Sequence, residues 1–142
     1  RKSVMTWTPG THGNTYGGNP LACAAANAPI DLISESFMAN AAEVGEYTLD
    51  ALSEIQARHP SMGDVRGIGL RIGIDFVKDK ATREKNGALR DRVADLAFER
   101  GLITLGCGES VIRVSPPLNI SKGEIDEGLK VFEEAISIAE KE

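Results

Sequence analysis

The chain has 142 residues, a length that suits one domain or a small domain with part of another. Apolar residues make up 42% and charged residues 26%, the balance of a globular protein, and no apolar run reaches the length of a membrane span or forms a signal peptide. The net charge is −5, without a basic stripe containing aromatics, which excludes a nucleic-acid-binding protein.

The chain begins with Arg1 instead of an initiating methionine, and we expect it to be part of a longer protein. Its two cysteines, Cys23 and Cys107, fall in an apolar helix and a glycine turn and lack metal-ligand spacing. We therefore expect one buried and one surface thiol, no disulfide and no metal site. This cysteine usage favours a cytoplasmic location.

A polar, glycine-rich loop over residues 11–18 leads directly into a predicted helix. Asn19 is a good N-cap, and Pro20 suits the first helical position. Gly17-Gly18 allows another group to approach the backbone closely. A helix start carries free backbone amides and partial positive charge, which we expect to attract an anion, and Thr15 adds a hydroxyl donor beside it. The stretch predicts a phosphate or carboxylate site, although spacing alone also fits a simple turn.

Apolar residues recur at helical spacing over residues 21–33, and Pro29 within them predicts a kink or break. A second helix is predicted from about Ser36 to Arg58. Its apolar face comprises Ala41, Val44, Thr48, Leu52 and Ile55. His59, before a proline, ends this helix, and we interpret it as stabilising the helix dipole.

Alternating apolar residues over 70–77 predict a half-buried strand. The charged segment 78–87 has no apolar face and predicts a solvated loop. A third helix is predicted over residues 89–97, closed by Gly101.

Two short strands, Leu102–Leu105 and Val111–Val114, form a predicted hairpin. Ser121 and Glu124 form a capping box for the last helix. The buried stripe of that helix is predicted to contain Ile125, Leu129, Phe132 and Ile136. The order of these elements predicts an α+β fold, a two-layer domain in which helices cover a short antiparallel sheet.

The stretch Pro9–Ala26 closely resembles the segment that identifies class III pyridoxal-phosphate aminotransferases, among them the 4-aminobutyrate, ornithine and acetylornithine enzymes. The resemblance continues through Val65–Leu70 and Ile112–Leu118 and covers essentially the whole chain. It implies a fold-type I enzyme that uses pyridoxal 5'-phosphate. Residues 1–35 would be a remnant of the large cofactor-binding domain and the start of the connecting helix, and residues 36–142 the C-terminal small domain.

The resemblance also implies roles for individual residues. Thr15 matches the threonine that hydrogen-bonds the cofactor phosphate of the neighbouring subunit, which implies a homodimer. Arg113 matches the arginine that binds a substrate carboxylate or pairs with an active-site glutamate. A solvated strand arginine is the alternative for Arg113, and the family match favours the binding role. His12 lies in the same loop, and we expect no catalytic role for it.

The Schiff-base lysine of such enzymes lies a few tens of residues before the threonine, which places it upstream of Arg1. The lysines present stand in no matching motif: Lys2, Lys78, Lys80, Lys85, Lys122, Lys130 and Lys141. We therefore predict no catalytic residue within this chain and no transamination by the chain alone.

The resemblance implies a parent enzyme that transfers an amino group from an amino acid, such as 4-aminobutyrate, to a 2-oxo acid. Amino-acid racemases and an aminomutase share the framework, and the sequence leaves this choice open. A non-catalytic α+β binding or regulatory module is the alternative from another class. A reading frame upstream of Arg1 that contains a lysine before the motif distinguishes the enzyme from the module.

Overall fold

The computed structural model describes residues 2–142, and the chain divides into two compact units, Arg1–Ser36 and Phe37–Glu142. The smaller unit contains a 3₁₀ turn at Lys2–Val4, a long loop and helix α1, Pro20–Leu32. No residue of α1 is buried. The assignment of residues 1–35 to a large domain and 36–142 to a small domain remains a prediction.

The sequence predicts a kink or break at Pro29, and the break does not occur, because α1 continues through this proline to Leu32. The irregularity appears later, as a π-helical turn at Ile33–Phe37. Two serine hydroxyls in or beside this turn donate to carbonyls four residues earlier: Ser34 to Ile30 at 2.9 Å and Ser36 to Leu32 at 3.2 Å. Such back-bonding is typical of serine in helices and tends to bend them.

The larger unit is an α+β domain with one antiparallel sheet, as predicted. Its helices are α2 (Met38–Arg58), α3 (Gly87–Glu99) and α4 (Lys122–Ala139). Its strands are β1 (Met62–Ile68), β2 (Arg71–Asp79), β3 (Glu84–Lys85), β4 (Leu105–Cys107) and β5 (Val111–Val114). The strand order is β1-β2-β5-β4, and β3 pairs with the end of β2.

The core lies between the helices and one face of the sheet. Ile72, Ile74 and Phe76 of β2 are each at most 1% exposed. They pack among side chains from all three helices and β5, namely Leu52, Ile55, Val93, Leu96, Ile112, Phe132 and Ile136. Burial of a side chain of this size stabilises the fold by about 1.5–3 kcal/mol. The helical stripes predicted from the sequence therefore face the core.

Helix α2 lies directly against the turn between β1 and β2. A Cβ atom added to Gly45 would lie 2.4 Å from the carbonyl carbon of Gly69, so only glycine permits this approach. Gly69 itself has a φ of +52°, a conformation that glycine adopts without strain.

The sheet departs from the prediction in three places. Residues 62–68 form β1, whose glycines and charges hide the alternation expected of a strand. The charged segment predicted as a loop contains β3. Strand β4 begins only at Leu105, and the preceding residues 102–104 are irregular.

None of the helices formed by the described residues combines the length and apolar character needed to cross a bilayer.

His59 ends α2 in an extended conformation, as predicted, but it has a different role from the one expected. Its buried imidazole Nδ1 lies 2.7 Å from Oε2 of Glu140, just beyond α4. The Ser61 hydroxyl donates to the other carboxylate oxygen of Glu140 at 2.5 Å. His59 therefore links the ends of two helices instead of acting only on the dipole of its own helix.

We predict that Glu140→Gln destabilises the fold in a pH-dependent way. Burial raises the pKa of Glu140, but hydrogen bonds from Ser61 and His59 outweigh it and hold this pKa below its ordinary value. A carboxyl group with a lowered folded-state pKa stabilises the protein above its unfolded pKa, about 4.3, and loses this contribution as the pH falls through the folded value. Urea unfolding at pH 7 should show that Glu140→Gln lowers the free energy of unfolding by about 1–3 kcal/mol.

The difference in the free energy of unfolding between Glu140→Gln and wild type should become smaller as the pH falls below about 4. Glu134→Gln is the matched control, because Glu134 makes only an exposed ion pair with Arg100 and should change stability little. If the loss in free energy of unfolding caused by Glu140→Gln stayed constant from pH 7 to pH 3, the stabilising role of the ionised Glu140 carboxylate would be contradicted.

Candidate active-site residues

The start of α1 has the capping geometry predicted from the sequence. Asn19 adopts an extended conformation, with φ −64° and ψ 129°, and Pro20 follows as the first helical residue. The Asn19 side-chain oxygen accepts hydrogen bonds from the backbone N–H groups of Leu21 at 3.0 Å and Ala22 at 3.2 Å. The side chain of Asn19 thus satisfies two of the donors that a helix start leaves open.

This cap changes which groups can donate hydrogen bonds to an anion. The N–H groups of Leu21 and Ala22 are engaged by Asn19, and that of Cys23 donates to the Asn19 carbonyl at 2.9 Å. Pro20 has no N–H. The expectation that free amides of the first helical turn would bind an anion is therefore wrong, and donors must come from the preceding loop.

The preceding loop presents Thr15 to solvent. The Thr15 hydroxyl makes no hydrogen bond to another residue within the described range 2–142. The loop is closed by a turn in which the Gly17 N–H donates to the Asn14 carbonyl at 3.3 Å. Gly18 has a φ of +79°, and no atom lies within 4 Å of an added Cβ there. An exposed hydroxyl beside open backbone fits the oxygen of an anion, and the role of Thr15 stays a prediction.

The other candidate groups of the sequence are His12 and the two cysteines. The His12 ring lies 5.2 Å from the Trp7 ring, centroid to centroid. Cys23 and Cys107 are free and exposed, so the expectation of a buried thiol at Cys23 is wrong. Within the described range, no group of three His, Cys, Asp or Glu residues could hold a metal ion.

Arg113 lies in β5 between Ile112, which is buried, and Val114. The strand register pairs Arg113 with Gly73 of β2 and with Leu105 of β4. Because paired residues point to the same side of a sheet, Arg113 lies on the face opposite Ile112. We call this side, away from the three helices, the open face. Arg113 is half-buried there and has no ion pair among residues 2–142.

An apolar cleft of about 430 Å³ begins beside Arg113. Its walls are the segment 102–105, the segment 113–116 and the first half of α4. The Thr104 hydroxyl oxygen at this cleft is buried and lacks a hydrogen-bond partner in the described structure. Ile103 at the rim is 82% exposed. An apolar cleft with few polar groups is typical of a binding site.

A second cavity, of about 280 Å³, is polar and includes Asp64, Arg66 and Asp75. Asp75 is buried, accepts a hydrogen bond from the Ser110 hydroxyl at 2.5 Å and pairs with Lys85. Burial raises the pKa of Asp75, but the bonds from Lys85 and Ser110 outweigh it and leave this pKa below its ordinary value. The sequence signal for this cluster is a single acid between the apolar residues Ile74 and Phe76.

We predict that Asn19→Ala loosens the start of α1 by about 0.5–2 kcal/mol, because two N–H groups lose their acceptor. NMR Cα chemical shifts of residues 20–23 should move toward coil values. Asn27→Ala is the matched control, since Asn27 lies within the same helix and does not cap it, and it should leave those shifts unchanged. Helical shifts at residues 20–23 in Asn19→Ala would disprove the capping role.

The sequence profile of the class-III aminotransferases matches residues 1–136. Acetylornithine aminotransferase of Clostridium acetobutylicum is 38% identical, over 94% of this chain and 32% of the relative. Leucine/methionine racemase of Thermococcus litoralis is 40% identical, over 92% of this chain and 30% of the relative. The crystal structure of an amine transaminase from an uncultivated Pseudomonas species, in its pyridoxal-phosphate-bound form, matches with a TM-score of 0.83 at 37% identity, over 91% of this chain and 30% of that one.

The chain therefore spans about a third of the length of the curated relatives that it matches. These relatives include both an aminotransferase and a racemase. The match extends over nearly the whole chain and agrees with the fold of the larger unit. The chain belongs to the class-III aminotransferase family.

Proposed function

We propose that this chain is the C-terminal portion of a longer pyridoxal-phosphate-dependent aminotransferase. The observation that carries the proposal is the family match over residues 1–136, combined with coverage of only about a third of each relative. The reaction proposed is transfer of an amino group from an amino acid to a 2-oxo acid. The 40% identity with the 5-aminovalerate aminotransferase of Pseudomonas putida supports an ω-amino donor, such as 4-aminobutyrate.

Residues of the smaller unit fit the phosphate of this cofactor. The exposed Thr15 hydroxyl would donate to a phosphate oxygen, and Gly18 leaves the backbone open to its approach. Pyridoxal phosphate supplies the electron sink that amino-group transfer requires. We propose that Thr15 serves the cofactor of the neighbouring subunit in a cytoplasmic homodimer.

Arg113 is the proposed substrate-binding residue. Its guanidinium can hold a carboxylate through two parallel hydrogen bonds, each of which is stronger than a neutral bond. The half-buried position on β5 limits competition from water. The two prolines that follow, Pro116 and Pro117, restrict the backbone that leads away from the strand.

The proton-transfer step of this reaction needs a lysine that serves as acid and base. None of the seven lysines in the 142-residue sequence stands in a matching family motif. We therefore propose that the chain alone does not transaminate. A racemase parent is the second candidate, supported by the 40% identity with the Thermococcus litoralis enzyme.

The direct test compares the complete gene product with the 142-residue chain. The complete protein should convert 2-oxo acids to amino acids with a panel of amino donors, and the chain alone should not. A chiral assay without a 2-oxo acid separates racemisation from transfer. An upstream reading frame without the lysine, or turnover by the chain alone, would contradict the proposal.

We predict that Thr15→Ala in the complete protein weakens cofactor binding by about 1–3 kcal/mol, because one hydrogen bond to a charged phosphate is lost. Spectroscopic titration of the apoprotein with pyridoxal phosphate measures the dissociation constant. Thr15→Ser keeps the hydroxyl and should retain most of the affinity. Equal affinity for wild type and Thr15→Ala would rule out the phosphate role.

A further inference from the structure

The hairpin of β4 and β5, which carries Arg113, is contacted from the helix side of the sheet by α3. Gly106 of β4 pairs with the buried Ile112 of β5, so both positions face the helices. An added Cβ at Gly106 would lie 2.9 Å from Nη1 of Arg90, a residue of α3. The Arg90 guanidinium therefore lies directly over the backbone of β4, in space that a side chain at position 106 would occupy.

Arg90 also binds β5. Its Nη1 donates to the Val111 carbonyl at 3.1 Å, and its Nε donates to the Asp91 carboxylate at 2.7 Å. The Arg90 side chain is only 12% exposed, so the bond to Val111 is shielded from water. Because the guanidinium is planar and rigid, the bond to Asp91 also fixes the direction of the Nη1 donor. One side chain of α3 thus touches both strands of the hairpin.

A second contact fixes the start of α3 against the same hairpin. Gly87, the first residue of α3, lies so close to the turn between β4 and β5 that an added Cβ would be 2.6 Å from the Glu109 carbonyl oxygen. Arg90 follows three residues later, about one helical turn away. The anchored helix start therefore gives the Arg90 guanidinium a defined position relative to Val111.

The position of Val111 is coupled to that of Arg113. The two residues are two positions apart on β5, which corresponds to about 7 Å, and their side chains leave the same face of the sheet. An added Cβ at Gly73, the β2 partner of Arg113, would lie 3.4 Å from a Val111 methyl group, which agrees with this placement. A packed strand transmits a displacement over such a distance. A shift of Val111 would therefore move the base of the Arg113 side chain.

We propose that Arg90 is a positioning residue for Arg113. By holding Val111 and the backbone of β4 from the helix side, Arg90 fixes where the Arg113 guanidinium stands on the open face. A binding group must be held within about 0.5 Å of its productive position, so a small shift of the hairpin weakens the bonds that Arg113 makes. The proposal rests on the carboxylate-binding role of Arg113 under the proposed function. It adds a residue on the other side of the sheet that acts without touching the substrate.

Calorimetric titration of the complete protein with butyrate, a simple monocarboxylate, tests this role without requiring turnover. Arg113→Gln should weaken butyrate binding about tenfold or more, because the guanidinium is lost. Arg90→Gln should weaken it about fivefold, because the hairpin is no longer held. Arg90→Lys keeps a donor for the Val111 carbonyl and should recover part of this loss. The affinity for pyridoxal phosphate should change less than about twofold in these variants, which checks that they are folded.

Gly106→Ala displaces the same guanidinium without removing the arginine, because the added methyl group would lie 2.9 Å from Nη1 of Arg90. It should weaken butyrate binding about as much as Arg90→Gln does. The double variant should bind no more weakly than either single variant, because both changes remove one contact. Arg92→Gln is the matched control, since Arg92 lies on the same helix and pairs with Glu142 at the surface at 2.6 Å. It should leave butyrate binding unchanged.

The kinetics of the complete protein separate positioning from a general loss of stability. Arg90→Gln should raise KM for a carboxylate-bearing amino donor and leave kcat nearly unchanged, whereas a smaller folded fraction would lower kcat at constant KM. Unchanged butyrate binding in both Arg90→Gln and Gly106→Ala, beside weakened binding in Arg113→Gln, would overturn the positioning role and leave the proposed function intact. Unchanged butyrate binding in Arg113→Gln would instead reject the carboxylate-binding role on which the proposal rests.

Discussion

The larger unit depends on the separation of two faces along its central strand. Ile72, Ile74 and Phe76 of β2 are almost completely buried under the helices, and the residues between them face the other way. A slip of one residue in the pairing would exchange the two faces. Arg113 would then enter the apolar core, where an unpaired charge is costly. Packing of the core on one side of the sheet therefore keeps the Arg113 side chain on the other side, the open face.

Contacts distant in sequence fix the helices against this sheet. Gly45 of α2 meets the backbone of Gly69 so closely that no side chain fits between them. At the other end of the same helix, His59 and Ser61 bind the carboxylate of Glu140, about 80 residues later. A glycine contact at one end and a buried polar cluster at the other thus orient α2 relative to β1 and α4.

Local sequence signals predicted the helices well and the edges of the sheet less well. The capping box of Ser121 and Glu124 and the N-cap at Asn19 both form as expected, because caps depend on residues three or fewer positions apart. Strand β1 was missed because its inward and outward residues are mostly glycines and charges, and β3 has only two residues. Pairing with β2, which no local pattern encodes, creates both strands.

The candidate site was predictable only in part, for a similar reason. Alternation placed Arg113 opposite its apolar neighbours, and the family resemblance named it. The Asp75 cluster and the bond from Arg90 to the hairpin that carries Arg113 depend on contacts between elements that are far apart in sequence. The prediction of free helix amides near Thr15 failed because a single side chain, that of Asn19, accepts two of them.

Each of the two units carries one proposed binding residue. The smaller unit has Thr15, whose hydroxyl would donate a hydrogen bond to the cofactor phosphate, and the larger unit has Arg113, which would bind a substrate carboxylate. The most direct measurement of this account is a crystal structure of the complete protein with pyridoxal phosphate. We expect the Thr15 hydroxyl at hydrogen-bond distance, about 2.7 Å, from a phosphate oxygen of the cofactor carried by the other subunit. A cofactor phosphate held entirely by other residues, with the Thr15 loop packed against protein, would contradict it.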